Sequence, residues 1–112
     1  MKRSHYDEPH ADARAVRARL TQAFRALRKS GYVCRQNFMC CMGCANAAMP
    51  EGTTKCVFYH RQDADSLRKR GSVYLAWTGD GPEIFRAMEA AGLRVDWNGS
   101  DDERMKVSMP KT

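Results

Sequence analysis

The sequence predicts an α+β fold, a single domain in which helices pack on a mixed sheet of about four strands with a C-terminal β-hairpin. Apolar residues recur with helical spacing near the start, short β-prone segments alternate with helical segments in the middle, and two alternating segments end the chain. With 112 residues, 43% of them hydrophobic, the chain has the size of one domain. We predict a flexible N-terminus over residues 1–9 and one α+β domain over residues 10–112.

Apolar stripes and end residues indicate the helices. Residues 11–29 carry one stripe at helical spacing, with Pro9 suited to the first turn and Gly31 suited to a left-handed C-terminal cap. The other predicted helices are residues 38–49, with Asn37 as N-cap, and residues 82–91. Residues 63–70 are predicted to form a short polar helix or a turn.

Aromatic and β-branched residues indicate the strands. Residues 32–36 form a short β-prone segment, and the clearer strands are residues 56–60, 72–77, 93–97 and 105–109. Because residues 72–77 are apolar on both faces, this strand is predicted to be central. It can join residues 93–97 through a right-handed crossover, and the last two strands form the hairpin.

The composition favours a reducing compartment. The chain has no run of about 18 apolar residues that could span a membrane, and its first residues lack the apolar core of a signal peptide. The chain has five cysteines, so at least one cannot form a disulfide within the chain. Cys40 and Cys41 are adjacent and therefore poorly placed to form a disulfide with each other. We therefore predict a cytoplasmic protein whose cysteines are metal ligands or free thiols.

Three cysteines on the second predicted helix have the spacing of a chelate. Cys41 and Cys44 are three residues apart and Cys40 and Cys44 are four apart, so either pair places its Cβ atoms about 5–6 Å apart on a helix. Thiolates at such spacing, followed by Cys56 and His60, resemble a zinc site.

The geometry of a strand limits whether Cys56 and His60 can both bind the same metal ion. On a regular strand, Cys56 and His60 share a face but their Cα atoms lie about 13 Å apart, at roughly 3.3 Å per residue. One of them can join the cysteines, but both can do so only if the segment turns. The preferred site is Cys41 and Cys44 with His60, completed by Cys56 or Cys34, while Cys40 substitutes if the helix is rotated.

Two other interpretations of the cysteines remain open. They can be small buried thiols that pack the helix. Alternatively, Cys41 or Cys44 acts in redox or nucleophilic chemistry with His60 as a base, which Asp63 or Asp65 would orient.

Basic residues suggest a nucleic-acid-binding alternative. The net charge is +6, and four arginines of the first helix fall within about 80° of one another at 100° per residue. The four residues could bind successive phosphates of a nucleic-acid backbone; they are Arg14, Arg17, Arg25 and Arg28. A solvated helix face is favoured, because no aromatic residues interleave with these arginines to stack on bases.

Several segments resemble an uncharacterised bacterial family, a domain of unknown function. Its members carry N-F-x-C-C-x-x-C and V-F-Y-H-x-Q-D segments, which match here from Asn37 to Cys44 and from Val57 to Asp63. The resemblance spans most of residues 20–107 and implies that Cys40, Cys41, Cys44, His60 and Asp63 belong to the pattern, without cysteines at 34 or 56.

The sequence thus predicts a small intracellular domain, most simply a non-catalytic zinc-binding protein that contacts another protein and no membrane. A thiol-dependent enzyme is the first alternative and a nucleic-acid-binding module the second. Whether the protein is an enzyme stays open.

Overall fold

The computed structural model describes residues 9–110, so nearly all of the segment predicted to be flexible lies outside the described residues. It confirms a single α+β domain, but the mixed sheet has five strands rather than about four, because the short segment after the first helix also pairs. The elements in chain order are α1 (Ala13–Lys29), β1 (Val33–Arg35), α2 (Met42–Ala48), β2 (Cys56–Phe58), α3 (Arg61–Arg70), β3 (Ser72–Thr78), α4 (Gly81–Ala90), β4 (Arg94–Asp96) and β5 (Met105–Ser108).

The strands lie in the order β1-β2-β3-β5-β4. β1 and β2 are parallel, and the remaining neighbours are antiparallel. β3 is central, as predicted, and β4 and β5 form the predicted C-terminal antiparallel pair, with Val95 opposite Val107. The chain that leaves β3 through α4 returns as β4, and β5 then inserts between the two.

The main core lies on one face of the sheet. The stripe predicted for α1 is buried there and packs with residues from α3, α4, β3 and β5. Each buried leucine or phenylalanine side chain contributes about 1.5–3 kcal/mol through the apolar surface it removes from water. The central members of this core are Val16, Leu20, Phe24, Leu27, Leu67, Val73, Leu75, Ile84, Met88, Met105 and Val107.

A smaller apolar cluster covers the opposite face of β1 and β2. Ala45 of α2 packs there on Cys56 and Phe58, with Phe38 and Met42 at its border. All three residues of β2 are buried, since α2 covers one face of that strand and the main core covers the other. This second cluster holds the cysteine-bearing helix against the sheet.

Two predicted boundaries around the cysteines were wrong. The helix predicted over residues 38–49 begins at Met42, and its N-cap is Cys41 rather than Asn37. The strand predicted over residues 56–60 ends at Phe58, because the chain turns and His60 becomes the N-cap of α3. None of the helices within residues 9–110 is long and apolar enough to cross a membrane.

Candidate metal centre

A loop between β1 and α2 carries the first of the clustered cysteines. Two backbone hydrogen bonds fix it to the turn after β2: the N–H of Phe38 donates to the Tyr59 carbonyl at 2.8 Å, and the N–H of Arg61 donates to the Met39 carbonyl at 2.9 Å. The Phe38 ring also packs edge-to-face on Phe58, with the centroids 6.2 Å apart. Met39, directly before Cys40, is therefore held against the first residue of α3.

The same loop holds two non-glycine residues in the left-handed region. Asn37 has φ 51° and Met39 has φ 63°. Asparagine tolerates this conformation, whereas for methionine it costs roughly 1–2 kcal/mol. Such strain persists only where surrounding contacts impose it, and it is concentrated at functional sites. The left-handed conformation of Met39 turns the chain directly before Cys40, whose Sγ atom lies 3.4 Å from that of Cys44 in α2.

Three thiols converge at the start of α2. The Sγ atom of Cys40 lies 3.4 Å from that of Cys44 and 3.9 Å from that of Cys41. All three sulfurs are within 4.8 Å of one another and belong to free cysteines. Sulfurs bound to one tetrahedral zinc at about 2.3 Å are about 3.8 Å apart. The observed separations therefore fit a shared metal ion with small adjustments.

The pKa values of Cys41 and Cys44 are shifted in opposite directions. The backbone N–H of Cys44, followed by the thiols of Cys44 and Cys40, lowers the pKa of Cys41. The thiols of Cys40 and Cys41 raise the pKa of Cys44 to about 11. The pKa of Cys41 is therefore lower than that of Cys44. A bound cation would favour loss of the thiol protons, as it does for coordinating thiols in general.

His60 does not belong to the group of converging donors. It is buried at the N-terminus of α3, where its Nδ1 atom accepts from the backbone N–H of Asp63 at 3.4 Å. Its Nε2 atom lies 3.2 Å from Asp63 Oδ2. The Asp63 carboxylate in turn accepts from the His60 backbone N–H, which completes a capping box. Both ring nitrogens therefore lie against Asp63, and Nδ1 is the one that makes a hydrogen bond.

Arg104, which is half-buried, completes this network. Its Nη2 atom donates to Asp63 Oδ2 at 2.5 Å and to the Tyr74 carbonyl at 2.7 Å. Asp63 or Asp65 was predicted to orient His60, whereas Arg104 was not predicted to take part. Arg104 follows Asp63 by 41 residues, and no local pattern links the two.

Cys56 and Cys34 also lie outside the sulfur cluster. Cys56 is buried and its Sγ atom is 3.4 Å from Thr78 Oγ1. Cys34 lies in the main core on the other face of the sheet, opposite Val57 in the β1–β2 register. Burial raises the pKa of the Cys34 thiol to about 11, although Arg28 and Arg35 partly oppose this. The structure thus brings together three of the six candidate ligands, namely Cys40, Cys41 and Cys44.

The four arginines of the nucleic-acid alternative are exposed on α1. Arg28 already donates to the Cys34 carbonyl at 2.7 Å, which leaves fewer free donors for phosphates. Nucleic-acid binding by Arg14, Arg17, Arg25 and Arg28 stays a prediction. A separate polar groove of about 670 Å³ is lined by Arg70, Arg94 and Lys106, among others, and contains none of the predicted ligands.

The fold and the cluster define a small α+β domain with three thiols that could hold a metal ion. The chain belongs to the family described as Domain of unknown function (DUF6891), whose model matches residues 5–110. This confirms the expected membership of an uncharacterised domain family. No curated protein and no solved structure matches the chain significantly.

Proposed function

We propose that this domain binds one zinc ion through Cys40, Cys41 and Cys44 and acts without catalysis, by contacting another protein. The observation that carries the proposal is the convergence of three sulfurs within 4.8 Å on an accessible segment. Among the abundant divalent ions without redox chemistry, zinc is the one that thiolates bind in preference to magnesium and calcium. The five free cysteines suit a reducing compartment such as the cytoplasm.

A structural role for the metal follows from the short helix that carries the site. α2 has seven residues and buries one of them, Ala45. Helices of this length are marginal without external support. A metal shared by Cys40, Cys41 and Cys44 would tie the strained loop to α2. The exposed residues of this site, Met39, Cys40 and Cys44, are the surface that we propose for the contact with a partner. The candidate base for catalysis, His60, is buried against Asp63 and does not belong to the sulfur cluster.

Metal content tests this proposal. The full chain, purified under reducing conditions without chelators, is expected to contain about one zinc per chain. Metal-free protein should regain one equivalent when zinc is added. A reduced, folded protein that retains no zinc and cannot be reconstituted would refute the proposal.

Thiol chemistry is the second candidate, because Cys40 Sγ and Cys44 Sγ lie only 3.4 Å apart beside a thiol whose pKa is lowered. Oxidation of this pair by a peroxide would give a disulfide and water, with the two thiol protons and two electrons taken up by the peroxide. This alternative requires that the cysteines be free of metal.

In metal-free protein, iodoacetamide at pH 7 is expected to modify Cys41 before Cys44. A lowered pKa gives Cys41 more thiolate at that pH, whereas the pKa of about 11 keeps Cys44 protonated. Buried Cys34 should stay unmodified until the protein unfolds. Time-resolved peptide mass spectrometry measures the order, and Cys41→Ser serves as the control. Equal rates at Cys41 and Cys44 would contradict the expected charge distribution.

A further inference from the structure

We infer that the fourth coordination position of the bound metal is filled by a thiolate from outside the chain. This inference rests on the proposed function, because it concerns the same metal ion. The source is either a small-molecule thiol or a cysteine of a second copy of this chain, and the donor chemistry is the same in both.

The first reason is that the three sulfurs are the complete group of converging donors within residues 9–110. Zinc held by thiolates prefers four ligands in a tetrahedron. Three protein ligands leave one position for a ligand that the described part of the chain does not supply.

The second reason is that each internal candidate for this position already has another role. The Nδ1 atom of His60 accepts from the Asp63 backbone inside a capping box that starts α3, and its Nε2 atom lies 3.2 Å from Asp63 Oδ2. Cys56 is buried against Thr78, and Cys34 is buried in the main core on the far face of the sheet. Recruiting any of them would break the contacts that it makes in the structure.

The third reason is access to the cluster. Cys40 and Cys44 are exposed, and Cys41 is half-buried. A Cβ atom placed on Gly43, between the second and third cysteines, would meet no atom within 4 Å. Met39, directly before the cluster, is 42% exposed. An external ligand can therefore approach the open side of the site without displacing a packed side chain.

The three thiolates, which are soft donors, determine which class of ligand suits the fourth position. A metal held by three thiolates favours a fourth soft donor over carboxylate or water. In the exchange, the incoming thiol loses its proton to solvent, its sulfur bonds to the metal, and the water that held the position leaves. No electron is transferred, so neither an oxidant nor a reductant is needed.

Cobalt(II) tests the inference because its absorption reports both the number of thiolates and the coordination geometry. The full-length chain is titrated with cobalt(II), first alone and then with reduced glutathione. We expect one cobalt per chain, and a saturable rise in the thiolate-to-cobalt charge-transfer band that corresponds to one glutathione per metal. S-methylglutathione, which has no free thiol, is the matched control and should leave the band unchanged.

A second arm distinguishes the two sources of thiolate. The cobalt spectrum is recorded without glutathione over a wide range of protein concentration, with sedimentation analysis of the same samples. A four-thiolate spectrum that appears together with dimers assigns the ligand to a second copy. A response to glutathione in a monomer assigns it to a small thiol. Either result supports an external fourth ligand.

Two outcomes count against the proposals and are distinguishable. If cobalt does not bind, the proposed function fails. If cobalt binds but the spectrum responds to neither glutathione nor protein concentration, only the external ligand is refuted. His5 lies outside the described residues, so His5→Ala is included, and a response to glutathione that appears only in this variant would also refute the inference.

Discussion

Replacing Cys44 by serine is expected to weaken zinc binding by roughly 100-fold. Four-ligand structural zinc sites gain about 10–16 kcal/mol at neutral pH, which corresponds to roughly 3 kcal/mol per ligand and about two orders of magnitude in affinity. A serine hydroxyl keeps its proton and is a poor zinc ligand. Cys40→Ser should have a similar effect, because Cys40 Sγ lies 3.4 Å from Cys44 Sγ and 3.9 Å from Cys41 Sγ.

Competition against a chromophoric chelator measures these affinities, and circular dichroism checks the fold of each variant. Cys56→Ser is a matched control, because serine can keep the contact with Thr78 while removing a sulfur that lies outside the cluster. His60→Asn is a second control, since asparagine is a good N-cap. Both controls should bind zinc within about twofold of the original protein. A loss in either control comparable to that of Cys44→Ser would restore that residue as a ligand.

Replacing Asp63 by alanine is expected to lower the free energy of unfolding by about 2–3 kcal/mol. The change removes the partner of the Arg104 guanidinium and one half of the capping box that starts α3. Breaking a fully buried ion pair costs about 3–5 kcal/mol. The smaller value is expected here because the Arg104 side chain is 34% exposed and keeps its contact with the Tyr74 carbonyl.

Urea unfolding monitored by tryptophan fluorescence measures this loss, which should also lower Tm by roughly 10–20 °C. Asp65→Ala is the matched control, because Asp65 lies on the same helix but is exposed, and it should change stability by less than about 0.5 kcal/mol. A double-mutant cycle with Arg104→Met isolates the pair. If Asp63→Ala costs no more than Asp65→Ala, the network contributes nothing to stability.

Sequence spacing predicted the positions of side chains correctly wherever they belong to one regular helix or strand. The stripe from Val16 to Leu27 is buried as predicted, since side chains four residues apart always share a helix face. The apolar residues of β3 correctly indicated its central place. Cys40 and Cys44 were predicted as neighbours from their spacing, although Cys40 precedes α2 and reaches the cluster through the loop.

The sequence by itself determined the α+β class, the order of the elements and the clustering of Cys40, Cys41 and Cys44, because these depend on local periodicity and short separations. Only the tertiary structure decided the role of His60. Its environment depends on where β2 ends and on Arg104, which is brought from the far end of the chain to Asp63. Local spacing contains no information about such a contact, since burial and long-range pairing select it only when the sheet assembles.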